Sequence, residues 1–486
     1  MNKKIISIFT YILPRFQDAL FIGMLVAVSA RGFLLLNGDG DIGRHITIGN
    51  YIISTWKIPT QDIFSHTMTG KPLVPHEWLA QVAFGSIHTW MGLTGVVLLT
   101  AFLIAVTFTC TYREMLKRNV FRITAFIIVL LAAFTSSLHW LTRPHIFTFL
   151  FTALWAYQLE NKKSKLWLFP LLMLIWANTH GAFIAGFIIW GAHVAGWLWE
   201  YLHTQSTKEA GSRLAVIGIT SFAATFINPV GWRLWGTSVG YLGSRFLVDR
   251  TIEYRSPDFH IVNTWPFLVM LALYILASGL AGKSRPHEAI LAAGWTAMSL
   301  YSARNIPLFA IVMAPYLGSA IQAVIENAPI LQRVDQAIAR VENNLKGIFW
   351  PLLAVIVLTV SSYAQPNPSN QFNPGKFPVR AVDWLEDNPQ EGRMFNNFIW
   401  GGYILYRLWP EQTVFIDGQT DFYGEALSRE YTRVMSLDNG WEVVLEKYDV
   451  SWVIVQPSKP LVGALQDELG WTIVYQDGTA AILHKP

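Results

Sequence analysis

Two carboxylates one residue apart, in Gly38-Asp39-Gly40-Asp41, directly follow the first long apolar run of the chain, Phe21 to Leu36. A charge at a membrane boundary costs little facing water and a great deal facing lipid. An acidic pair at that boundary is suited to two kinds of chemistry. One is general-base catalysis, which needs a carboxylate within about 2.6–3.2 Å of the proton it takes. The other is holding a divalent cation, for which Asp39 and Asp41 are the candidate ligands. Asp41 is the favoured base, because an amphipathic helix starts at Ile42 and its N-terminus stabilises negative charge. An always-charged, bidentate guanidinium suits a leaving phosphate. Arg143 and Arg304, at the ends of apolar runs, are the candidates. His180, Asn178, His76, Glu77 and Glu253 complete the candidate substrate-binding set. Snorkelling anchors, turn caps and loop-orienting contacts are the plain structural alternatives for these residues. Zinc on His76, His145 and His180 is disfavoured, because no two of them have a short ligand spacing.

These residues need a scaffold, and composition says which kind. The 486 residues are 52% hydrophobic and only 14% charged, against about 25% charged for soluble domains. This is a polytopic membrane protein, and its 21 Trp suit membrane interfaces. The net charge of +4 comes from basic loops and implies no nucleic-acid partner. A single cysteine, Cys110, excludes an intrachain disulfide. Lys3 and Lys4 precede an apolar stretch that Pro14, Arg15 and Asp18 interrupt, so a retained start is expected rather than a cleaved signal peptide.

Apolar runs fall at about 19–36, 93–112, 122–139, 145–159, 165–178, 181–199, 213–227, 264–281, 288–302, 306–324 and 347–364. Eleven candidate spans put the two chain ends on opposite sides. With the N-terminus inside, the inner segments hold seventeen Lys and Arg, among them Lys3, Lys4, Lys117, Arg118, Lys162 and Lys283. The outer loops hold nine, among them Arg44, Arg143, Arg245, Arg250 and Arg304. The positive-inside rule therefore predicts a cytoplasmic N-terminus and an outer C-terminus, in a bacterial-type inner membrane. That count requires His76–Met91 to be a helix on the outer surface, not a span. Ile42–Trp56 is expected to lie there too, with Ile42, Ile46, Ile48, Ile52 and Ile53 on one face. The polar clusters then all sort to the outer side, which predicts a polar cavity roofed by the first outer loop, 37–92. Arg31 reads as a snorkelling or ion-pairing residue. Arg333, Arg340 and Lys346 read as one face of a cytoplasmic amphipathic helix.

Residues 1–364 thus form the predicted membrane domain, 365–377 a Pro/Asn linker, and 378–486 an extracytoplasmic α/β domain large enough for its own core. Strands are predicted at Arg393–Asn397, Thr413–Asp417, Trp452–Gln456, Trp471–Gln476 and Ala480–His484. Helical patterns fall at about 378–387, 401–409, 422–436, 440–447 and 459–468. Asp417 and Asp421 follow a predicted strand end, where α/β sheets often place ligand groups.

This arrangement resembles the GT-C superfamily of membrane glycosyltransferases. The shared features are a short tail, one span, a D-x-D-like motif in a long first outer loop with surface helices, many spans and an outer C-terminal domain. It is most similar to the bacterial branch of RgtA-type and aminoarabinose-transferase-like enzymes. The run from Asp39 through Gly49, Pro59, Asp62, Phe64, Ser65 and Gly70 to His76-Glu77-Trp78-Leu79 looks like an uncharacterised bacterial group within it. So do Trp400-Gly401-Gly402-Tyr403 and Phe415-Ile416-Asp417-Gly418. The Asp-Glu pair common in better-known members is Asp-Gly-Asp here. The resemblance implies transfer of a sugar from a polyprenyl-phosphate carrier to a glycan, lipid or protein acceptor on the outer face, with inversion at the anomeric carbon. A transporter or flippase of a lipid-linked glycan, or a non-catalytic assembly protein, are the competing readings. A flippase is expected to show midplane charges and paired broken helices, and no inverted repeat is visible in the sequence.

Overall fold

In lipid every backbone polar group must bond within its own segment, so apolar runs of this length fold as helices. A computed structural model describes residues 10–203, 207–240, 246, 252–282, 284–347, 349–364 and 370–486. Lys3, Lys4, Arg245, Arg250, Lys283 and the 365–369 part of the expected linker lie outside the described residues. The first apolar run is two helices, α1 (Phe16–Ser29) and α2 (Gly32–Leu36), with the exposed Arg31 at the break. The other ten runs each contain a helix. Two lie in α4 (Trp78–Lys117) and α5 (Arg122–Ser136), which follow α3 (Asp41–Thr55). The next four lie in α6 (His145–Glu160), α7 (Leu168–Ala177), α8 (Ile184–His203) and α9 (Lys208–Ala224). After α10 (Arg233–Gly240), the last four lie in α11 (Trp265–Ala281), α12 (Pro286–Tyr301), α13 (Ile306–Ile325) and, beyond α14 (Pro329–Glu342), α15 (Phe349–Ala364). Five helical segments are long and apolar enough to cross a membrane: Trp78–Lys117, Arg122–His139, Gly181–His203, Val262–Ala281 and Ala303–Ile325.

The first-loop helices differ from expectation in an informative way. His76–Met91 does not stand apart: its helix starts at Trp78 and runs into the following span through a kink at Gly92. Gly92 has φ +60°, a conformation only glycine adopts without strain. Nor does α3 lie on an open surface. It is clamped between α4 and the C-terminal region, and every residue from Asp41 to Gly49 is buried. Ile42, Ile46, Ile48 and Ile52 are buried while Ile53 is exposed. A helix covered on several sides needs no single apolar stripe.

The C-terminal region holds α16 (Val379–Asp387), α17 (Gly401–Leu408), α18 (Thr420–Ser436), α19 (Trp441–Lys447) and α20 (Pro460–Leu469) around a four-stranded sheet. Its strands are β1 (Arg393–Asn396), β2 (Val450–Val455), β3 (Thr472–Gln476) and β4 (Ala481–His484), in the order β1-β2-β4-β3. β1 runs parallel to β2, with Met394 opposite Trp452, and the other pairs are antiparallel. Thr413–Asp417 is not a strand of this sheet. Its one ladder contact is Val414 with Ser65 of the first loop, so the segment is pulled toward the membrane region instead.

Side chains alternate across a strand, and β2 shows the consequence. Val453 and Val455 point into a core with Phe395, Phe415, Leu427 and Leu461. Trp452 and Ile454 join the core that contains Trp400 and Tyr403 of the C-terminal region and Ile42 and Ile46 of α3. One face of the sheet therefore has its own core, and the other is shared with the helix bundle.

The join is close. A Cβ on Gly43 would lie 2.3 Å from the Gly402 carbonyl oxygen, and one on Gly402 would lie 2.4 Å from the Gly40 carbonyl oxygen. Side chains longer than hydrogen do not fit between backbones this near.

Candidate active site

The turn after α2 sets Asp39 and Asp41 together. Gly40 is the N-cap of α3 and Asp41 its first residue, so Asp41 does sit at a helix N-terminus. The Asp41 backbone N–H donates to Asp39 Oδ1 at 3.0 Å. Arg143, in the turn between α5 and α6, then bridges the pair. Its Nη2 is 2.5 Å from Asp41 Oδ2, and its Nη1 is 3.2 Å from Asp39 Oδ2 and 3.2 Å from Glu253 Oε1. His139 Nε2 lies 3.5 Å from the other Glu253 oxygen. Arg304, in the turn between α12 and α13, is 3.9 Å from that oxygen and donates to the Tyr254 hydroxyl at 2.6 Å. The Arg304 side chain keeps 32% of its surface exposed, more than Arg143 at 23% and far more than Arg44 at 5%. It is the guanidinium of the three best able to meet an incoming anion.

A second cluster centres on Glu77, just before α4. His45 Nδ1 and His180 Nε2 lie 3.8 Å from its carboxylate, and His76 Nε2 and Arg44 Nη2 lie 3.9 Å away. The ring nitrogens differ in role. His180 Nδ1 accepts from the Ala182 backbone N–H at 3.3 Å, so in the neutral ring the proton is on Nε2, toward Glu77. Arg44 reaches the C-terminal region, donating to Gln419 Oε1 at 2.7 Å, with Nε 3.7 Å from Asp417 Oδ1.

Apart from His139 and His45, both clusters line one cavity of ≈1030 Å³. Its wall includes Gly418, Gln419, Asp421, Tyr431 and Lys459 from the C-terminal region. A Cβ on Gly418 would lie 1.7 Å from Asp41 Oδ1, so the C-terminal backbone rests directly on the Asp41 carboxylate.

Burial sets the charge states. It pushes the Asp39 carboxyl above its ordinary 3.8, with Arg143 opposing. Burial also works against the Arg143 charge, but Asp39, Asp41 and Glu253 outweigh it and hold the guanidinium ionised. Glu253 is held below the usual carboxylate range against its own burial, by His139 and then Arg143. Burial, helped by Arg304 for His180 and by Arg44 for His45, keeps both imidazoles neutral well below pH 6.5. Asp417 is pushed up to about 6 by burial, against the pull of Arg44.

Of the residues singled out in the sequence, Asp39, Asp41, His76, Glu77, Arg143, His180, Glu253 and Arg304 all line this cavity. Asn178 is a correction. It is buried, accepts from Trp78 Nε1 at 2.7 Å, and donates to the Leu174 and Ile227 carbonyls at 2.8 and 2.9 Å. Its amide oxygen and both amide hydrogens tie three segments together. Asp421 reaches the cavity, whereas Asp417 is buried behind it on Arg44. His145 donates from Nε2 to the His139 carbonyl at 2.8 Å and, unlike His76 and His180, is not on the cavity wall. Arg44, His45, Tyr254 and Gln419 were not identified. Arg44 did leave a signal: it is a charge at the core of a predicted amphipathic helix, between Ile42 and Ile46.

Arg143 occupies the place between Asp39 and Asp41 that a cation would take, so in this arrangement the pair does not fit a metal. Among the described residues, the one His/carboxylate group compact enough for a metal is Glu160, His193 and His287, elsewhere in the molecule.

No family model matches the sequence, and no curated protein matches it. Solved structures do. The apo oligosaccharyltransferase of Archaeoglobus fulgidus superposes with a TM-score of 0.59 at 12% identity, covering 93% of this chain and 70% of that one. Its complex with Zn and sulfate gives 0.56 at 14% identity, covering 92% and 68%. Apo ArnT from Cupriavidus metallidurans gives 0.53 at 11% identity, covering 96% of this chain and 97% of that one. The chain therefore shares the overall fold of this oligosaccharyltransferase and of ArnT.

Proposed function

We propose that this chain is a membrane glycosyltransferase that moves a sugar from a polyprenyl-phosphate-linked donor to an acceptor hydroxyl at the outer face. The observation that carries it is the Asp39–Arg143–Asp41 bridge, which shares one cavity with the partly exposed Arg304. The acceptor hydroxyl attacks the anomeric carbon, and its proton passes to Asp41, or to Asp39 if that carboxylate is the nearer. The bond from the anomeric carbon to the phosphate oxygen breaks, and its electron pair leaves with the lipid phosphate. Arg304 meets the charge that develops there. Arg143 holds the two carboxylates close and oriented with both ionised, which like charges would not do alone. Attack opposite the leaving group inverts the anomeric centre. Glu77 and the neutral His180 offer hydrogen bonds to sugar hydroxyls.

The test uses purified protein and a mixed pool of lipid-linked sugars. Asp41→Asn and Asp39→Asn are expected to lower transfer, the base variant by about 10²–10⁴-fold, with thermal unfolding unchanged. No transfer by the wild type from any donor would instead favour transport or scaffolding.

A further inference from the structure

A second polar cluster lies at the opposite end of α6 from the cavity, about 24 Å away for a 16-residue helix rising 1.5 Å per residue. Glu160, the last residue of α6, meets His193 of α8 and His287 of α12 there. His287 Nε2 is 2.9 Å and His193 Nε2 3.3 Å from the same oxygen, Glu160 Oε1. All three atoms lie within 4.8 Å of one another.

The His193 ring is the informative one. Its Nδ1 is 2.9 Å from the Ile189 carbonyl, so Nδ1 carries a hydrogen and donates it. In the neutral ring, Nε2 then presents a lone pair to an oxygen that offers only lone pairs. Either a proton or a metal cation must lie between them. A histidine whose other nitrogen is tied to a backbone carbonyl is the usual arrangement of a metal-ligating imidazole. Four-coordinate zinc binds imidazole and carboxylate at about 2.0–2.2 Å, which sets ligand atoms about 3.3 Å apart. Both Glu160–His separations are near that edge length.

The surroundings fit a held carboxylate. Arg285 Nη2 is 3.0 Å and Arg118 Nη2 3.5 Å from Glu160 Oε2, on the side away from the histidines. Each guanidinium has its own neutralising partner, Glu288 at 2.8 Å and Glu114 at 2.8 Å. What remains is one negative charge on Glu160, whose Oε1 also accepts from the Tyr316 hydroxyl at 3.0 Å, beside two imidazoles, the His₂-carboxylate donor set that zinc takes.

We propose that Glu160, His193 and His287 form a divalent-cation site of zinc type, which ties α6, α8 and α12 together at the end of the bundle away from the cavity. The site is a staple and takes no part in transfer.

Full-length protein purified without chelator, incubated with zinc and then desalted, is expected to hold about one zinc per chain by elemental mass spectrometry. Its unfolding temperature should rise with zinc and fall with chelator. His193→Ala and His287→Ala should each weaken zinc binding at least about tenfold. His287→Cys, which restores a ligand, should regain the zinc if the alanine variants merely misfold. A wild type that takes up no zinc, or alanine variants that hold as much zinc as the wild type, overturns the proposal.

Discussion

Arg143 is the residue on which the rest of the cavity depends, because three carboxylates share its one guanidinium. Removing it leaves Asp39 and Asp41 facing each other without compensation, and one of them then takes up a proton. Arg143→Ala is therefore expected to lower transfer about 100-fold or more. Arg143→Lys should recover only part, since an ammonium cannot serve both carboxylates with a fixed fork; full recovery would mean that charge alone suffices. The acid side of the pH profile carries a second expectation. Burial raises the Asp39 carboxyl above 3.8, so activity that needs its ionised form falls off above the ordinary Asp range, and Asp39→Asn removes that limb. Asp417 gives a stability test. Its folded value of about 6 exceeds the ordinary 3.8, so the folded state binds the proton more tightly. The stability it contributes is present below 3.8 and is lost as pH rises through 6, on the order of 3 kcal/mol in all. Denaturation midpoints of Asp417→Asn should fall less steeply over that window than those of the wild type. A steeper fall would contradict the sign.

At the scale of elements, α3 and α17 meet backbone to backbone. Gly402→Ala would drive a methyl toward the Gly40 carbonyl 2.4 Å away, with no flexible side chain to yield. We expect a lowered unfolding temperature together with lost transfer, because the same shift moves Asp41. Gly478→Ala, where a Cβ meets nothing within 4 Å, should leave both unchanged and serves as the control. This seam also marks where the sequence stops being legible. All eleven apolar runs are helical, because run length and lipid chemistry decide that locally. The polar clusters converge, because successive apolar helices that alternate in direction return every second turn to the same end of the bundle. The burial of α3, the loss of Thr413–Asp417 from the sheet and the tying role of Asn178 were not legible. Each depends on a neighbour far along the chain, and Val414 bridging Ser65 or Trp78 bonding Asn178, 100 residues apart, leaves no mark in local periodicity.

For the whole molecule, the cavity and the Glu160 cluster occupy opposite ends of the bundle, as an alternation of helix directions requires. Reporter fusions at Lys162 and at the C-terminus should therefore report opposite sides of the membrane, with Lys162 inside. Both on one side would sink the proposed orientation.

The closeness of Gly418 to the Asp41 carboxylate also sets an order of events during synthesis. Asp39 and Asp41 leave the ribosome well before the backbone that rests on Asp41, which is made only after α15. Until residues 397–459 have emerged and docked, Asp41 lacks one wall and Arg44 lacks Gln419 and Asp417. A chain interrupted after α15 is thus expected to insert its helices and yet stay inert, so that synthesis of residues 370–486 acts as a built-in delay on activity.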